Sequence, residues 1–187
     1  MKLRAIAVCA LACVAFVAPR AAQAFEGQQH LGLGPGLGML RIDDKSTMSV
    51  GGGVGIHYAY GLTDSFNLMA EGSSLVLALN QDQDTPTSPF TRPARIDGLG
   101  VGACYVIDIL RYVPYVGLMG TGHMMSGGTL TGAKPLGGAA LALGLDYQFD
   151  RSWAAGVAIR QHFLLSEMST YPSFTTAFLR VEHTWGF

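Results

Sequence analysis

Charge is what this sequence has least of. Charged residues make up 13% of its 187 residues, about half the share of an ordinary soluble domain. Beyond residue 24 only Lys45 and Lys134 remain as lysines, so no basic patch exists to grip a phosphate backbone, and nucleic acid is excluded as a partner. Cysteine is equally scarce. Cys104 stands alone beyond residue 24, which excludes an internal disulfide and a thiolate metal cage and leaves a buried thiol as its reading. Long apolar runs are missing too. The longest later stretch without Asp, Glu, Lys or Arg, "YVPYVGLMGTGHMMSGGTLTGA", carries six glycines and a proline, too many helix breakers for a spanning helix.

The first residues read as a separate unit. Lys2 and Arg4 precede the 14-residue apolar run "AIAVCALACVAFVA", followed by Pro19, Arg20 and "AAQA". A charged start, a short greasy middle and a small-residue exit predict a secretory signal peptide, residues 1–24, cleaved after Ala24. The run is shorter than the roughly 20 residues a spanning helix needs. Removing it leaves nine basic residues against 13 acidic, a net charge of −4, and a mature domain of residues 25–187.

What the mature chain does have is a beat of two. In "HLGLGPGLGML", Leu31, Leu33, Leu37 and Met39 alternate with glycines. The pattern returns in 50–60, 98–107, 141–149, 153–162 and 177–187, with two weaker runs at 66–79 and 114–125. A period of two is the signature of a strand. Eight such runs predict an all-β chain, each run supplying the roughly 9–11 residues a tilted membrane strand needs. The facing of 114–125 stays open. "GLGPGLG" and "GLGVGA" superficially resemble dinucleotide loops, but their glycines lie inside strict alternation with no helix following, so no cofactor is expected.

Connection lengths alternate as well. "GLTDS" (61–65), "DILRYV" (108–113) and "DRS" (150–152) are short, whereas 80–94, 126–135 and 165–172 are longer and polar; only the first, 43–47, breaks the rule. A soluble barrel shows the same alternation but hides its apolar face. Here the other face carries mostly Gly, Ala and Ser, which suit the crowded interior of an eight-strand barrel. Eleven aromatics, among them Tyr58, Tyr60, Phe66, Tyr105, Tyr112, Tyr115, Tyr147, Phe149 and Trp153, cluster beside the short turns, as an interfacial belt would. Phe163, Tyr171 and Phe174 are expected to mark the opposite belt. With an even strand count both ends lie on the short-turn side, the last strand closes on the first, and Phe187 faces lipid.

These features, with turns such as "YGLTDSFNL" and "DYQFDRSW" and a terminal Phe187, resemble the small eight-stranded outer-membrane β-barrel family (OmpA/OmpW-like, porin-family outer membrane protein β-barrel domain). The resemblance implies an eight-stranded antiparallel transmembrane up-and-down β-barrel in the outer membrane of a Gram-negative bacterium, surrounded by outer-membrane lipid and lipopolysaccharide. It further implies that the barrel-assembly machinery reads the last strand, Leu179, Val181, Trp185 and Phe187, where His183 departs from the apolar residue expected.

The polar face gathers Glu71, Asp146, Gln148, Arg160, His162, Arg180 and Glu182. Arg160 and His162 on the seventh strand are expected beside Arg180 and Glu182 on the eighth, bridging a plugged lumen. The expected role is structural or surface-interacting, as a monomer. The competing readings are a narrow channel for small or hydrophobic solutes and a lipid A-modifying enzyme. The last rests on His162 and Ser166, which share a face only if the strand runs that far; no catalytic, cofactor-binding or metal residue is assigned. His30, His57, His123, His162 and His183 sit on separate strands without ligand spacing.

Overall fold

A computed structural model of the chain describes residues 26–42, 47–78, 92–107, 109 and 111–186. The expected leader, most of the 80–94 connection and Phe187 lie outside the described residues. Eight strands follow one another: β1 (Gln29–Ile42), β2 (Thr47–Gly61), β3 (Phe66–Leu77), β4 (Arg95–Val106), β5 (Tyr112–Ser126), β6 (Lys134–Gln148), β7 (Trp153–Phe163) and β8 (Ser173–Trp185). Each pairs antiparallel with the next, and β8 returns to β1, so the sheet is a closed barrel.

The alternation sorts residues inside out. Leu33, Leu99 and Leu118 are 67%, 73% and 71% exposed, while Arg160 and Arg180 inside are 1% and 6% exposed. Water would not tolerate so large an apolar surface on a monomer; a bilayer requires it. The fifth strand, whose facing the pattern leaves open, turns Val113, Tyr115, Met119, His123 and Met125 inward and Val116, Leu118 and Met124 outward.

Side-chain chemistry fixes two of the short turns. The Thr63 hydroxyl accepts the Phe66 amide at 3.1 Å. The Asp150 carboxylate accepts the amides of Ser152 (2.7 Å) and Trp153 (3.0 Å), an Asx turn. Inside, glycines seat rings: a Cβ on Gly144 would fall on the Tyr115 ring, and one on Gly36 on the Phe178 ring. The closing ladder between β1 and β8 skips Gly34 and Pro35. Proline has no N–H to give a ladder.

The aromatic belts need correction. Tyr58, Tyr60, Phe66, Tyr112, Phe149 and Trp153 do project outward near the short turns. Tyr115 instead points into the lumen, because its odd position on β5 is an inward one. Of the three aromatics expected on the opposite rim, only Phe163 faces out. Tyr171 and Phe174 are fully buried, packed with Leu40, Leu75, Ile96 and Met125 into an apolar lid across the loop end of the lumen.

Candidate functional site: the lumen

The carboxylates and arginines described at mid-strand inside the barrel pair with one another. Glu71 on β3 takes Arg160 of β7 across the barrel: Nε donates to Oε1 at 3.0 Å and to Oε2 at 2.8 Å, and Nη2 closes on Oε1. Arg160 Nη1 also donates to the Leu143 and Ile159 carbonyls at 3.0 and 3.1 Å, and Nη2 to the Tyr115 hydroxyl at 3.0 Å. Below it, Arg180 donates to Asp146 through Nε (3.1 Å) and Nη2 (2.6 Å), and its Nε lies 2.7 Å from Glu182. The Tyr115 ring separates the two guanidiniums, 5.5 Å from that of Arg160 and 4.9 Å from that of Arg180. Glu182 continues the network to His57 at 2.8 Å and His30 at 3.4 Å.

Such pairing is what a low-dielectric interior demands, since a carboxylate or guanidinium removed from water and left alone costs several kcal/mol. The planar arginine fork can hold a carboxylate at two points and still spend its remaining donors on carbonyls. Toward the loops the character changes. His123 and His162 meet edge to face with ring centres 4.8 Å apart, and His162 Nε2 lies 3.3 Å from the Thr176 hydroxyl. Two cavities flank the arginine network, each of about 40 Å³. A volume of that size holds a few waters and no larger solute.

The residues expected to share this space do so, but with other partners. Arg160 and His162 do not sit beside Arg180 and Glu182. The β7–β8 register sets Arg160 opposite Thr176, His162 opposite Phe174 and Arg180 opposite Gly156, so the two arginines lie at different heights, Arg160 finding its carboxylate on β3 and Arg180 one on β6 besides Glu182 of its own strand. Gln148 lines the lower cavity. His162 and Ser166 do not share a strand face either: β7 ends at Phe163, and Ser166 lies in a short 3-10 turn, exposed, its hydroxyl accepting the Gly137 amide at 3.0 Å. Tyr115 and His123 were missed as lumen residues for want of the β5 facing, and His57 and His30 because isolated histidines carry no spacing signal. Among the described residues no group of three or more His, Cys, Asp or Glu side chains is placed to hold a metal. Cys104 is free and buried.

Comparison with known proteins agrees with this architecture. No curated protein matches the sequence. Among solved structures, Ail, the attachment invasion locus protein of Yersinia pestis, is 11% identical with a TM-score of 0.55, covering 86% of this chain and 100% of that one. Neisserial surface protein A is 12% identical with a TM-score of 0.59, over 87% and 100% of the two chains. OprG, an outer membrane protein of Pseudomonas aeruginosa, is 10% identical with a TM-score of 0.57, over 89% and 100%. At these identities the likeness speaks for the fold alone. The profile of one family, described as outer membrane protein beta-barrel domain, matches residues 7–181. With a closed eight-strand barrel that is greasy outside and charged within, the chain belongs to the outer membrane protein β-barrel domain family and is a protein of the outer membrane.

Proposed function

We propose that this barrel is a non-conducting structural element of the outer membrane, acting through its loops and exterior rather than through its lumen. The observation that carries the reading is the two-storey arginine network. Arg160 crosses from β7 to β3, and Arg180 joins β8 to β6. On either side of that network the described residues leave a small cavity of about 40 Å³. A solute would have to break both ion pairs to pass, and buried pairs resist separation by several kcal/mol each. The competing conduit would need a continuous wet path, and lipid A chemistry would need His162 beside a nucleophile that instead sits outside the barrel.

The same reading includes export from a Gram-negative cell through a leader cleaved after Ala24, recognition of the last strand and Phe187 by the barrel-assembly machinery, and a monomer embedded among outer-membrane lipid and lipopolysaccharide. Planar-bilayer recording of the folded protein at neutral pH tests the central point. A flat baseline supports it. Discrete single-channel steps of the folded wild-type protein would establish the conduit instead.

A further inference from the structure

We propose that His123 and His162 form an acid-sensitive latch beneath the apolar lid, which frees the loop-side end of the barrel when both take up protons; this rests on the lumen being closed at neutral pH.

The geometry places the pair at a boundary. His123 is 5% and His162 8% exposed. His162 stacks on the Phe174 ring at 5.3 Å and 27°, and His123 meets the same ring edge-on at 5.8 Å and 88°. Phe174 belongs to the lid, where it packs with Leu164 and Tyr171. Those two come from the connection between β7 and β8. The histidines are therefore the floor on which the connection rests. His162 Nδ1 and both nitrogens of His123 have no hydrogen-bond partner among the described residues. The small cavity beside them offers room for a few waters.

The charges facing the pair decide what protonation does. Around that cavity β7 contributes Arg160, β8 Arg180, β2 His57 and β3 Glu71, while β1 and β4 contribute only glycines as inward-facing residues. Glu71 is the one carboxylate, and Arg160 already engages both of its oxygens. Among the described residues lining the cavity, no counter-ion is left for an imidazolium. Once the lid opens and the rings are wet, each is an ordinary imidazole, mostly neutral at pH 7.5 and mostly charged at pH 5, so acid favours the open state. Two imidazoliums with ring centres 4.8 Å apart repel each other and the Arg160 guanidinium. The face of Phe174 welcomes one cation, not two. Hydrating the pair requires water, and the apolar layer that includes Phe174, Tyr171 and Leu164 stands between the pair and the loop side.

Hydrogen exchange of the full chain in lipid nanodiscs tests this, with amide protection of residues 164–174 measured at pH 7.5 and pH 5 after correction for intrinsic exchange. Glu167 is a poor rival as the trigger, because its hydrogen bond to Lys134 holds its carboxyl below the usual range, so it stays ionised at pH 5. Protection is expected to fall about tenfold at pH 5 in the wild type, in line with local opening, and to stay constant in a His123→Phe, His162→Phe variant, which keeps the rings and removes the titration. Unchanged protection in the wild type, or an equal fall in the variant, overturns the latch. Should the variant fold poorly, the single His162→Phe chain replaces it: a fall at pH 5 as large as that of the wild type also overturns the latch. Conductance steps at pH 7.5 would sink the closed-lumen reading, a separate outcome.

Discussion

Removing the Arg180 guanidinium is the most informative single change. Arg180→Ala strands Asp146 and Glu182, which are 6% and 4% exposed. Asp146 loses both of its arginine bonds, at 3.1 and 2.6 Å, whereas Glu182 keeps His57 at 2.8 Å. Breaking a buried pair typically costs about 3–5 kcal/mol. With one carboxylate orphaned and the other half-supported, a loss of about 4 kcal/mol is expected. For a urea slope of about 2 kcal/mol per molar, the midpoint should fall by about 2 M. Trp153 and Trp185, the only tryptophans, report unfolding from the short-turn rim. The discriminating control is Arg180→Met combined with Asp146→Asn and Glu182→Gln, which removes the stranded charges and should recover most of the loss. If Arg180→Ala shifts the midpoint by less than about a quarter of the predicted amount, the buried pairs do not carry this stability.

Three smaller predictions follow from the same geometry. Gly144→Val places a side chain on the Tyr115 ring and should destabilise the barrel by about 1–3 kcal/mol through overpacking, read as an earlier urea midpoint; Tyr115→Ala in the same chain should relieve the clash. Pro35→Val supplies a donor where the β1–β8 ladder is interrupted and should raise stability by about 1 kcal/mol; no gain would show that the break has another cause. Glu167, lowered by its bond to Lys134, contributes above the ordinary carboxylate range and loses that contribution as pH falls through its lowered value. In the His123→Phe, His162→Phe background, protection of the 164–172 connection should hold from pH 7.5 to pH 5 and decline only further down, a decline that Lys134→Met removes.

The sequence made the wall of this molecule more legible than its interior. Alternation puts Leu33, Val101 and Leu143 on one stripe, because a strand repeats every two residues, and the small residues of the opposite stripe turn that stripe outward. Strand number, closure and the alternating connections follow from the same period. The lumen was legible only as a set of residues. Which carboxylate Arg160 meets depends on the stagger of eight strands, and no single strand encodes it; the expected neighbours Arg180 and Glu182 lie at another height, and Glu71 takes their place. The facing of β5 was hidden because Gly117, Gly120 and Gly122 fall on both parities. That ambiguity concealed Tyr115 and His123 together. Tyr171 and Phe174 show the remaining limit: aromatics near a rim belong to a belt or to a lid, and only the fold distinguishes the two.

Site-directed spin labelling asks most directly which stripe touches acyl chains. In a Cys104→Ser background, single labels at Leu33, Leu99, Val101 and Leu118 would be compared with labels at Ser73, Gly100 and Ala158 for collision with oxygen, which partitions into lipid, and with a water-soluble nickel chelate. The first group should collide with oxygen and be shielded from nickel, while the second should be shielded from lipid-dissolved oxygen. Nickel reaching the leucine and valine positions in the folded protein, with oxygen favouring the glycine and serine positions, would contradict a barrel with its apolar stripe in lipid.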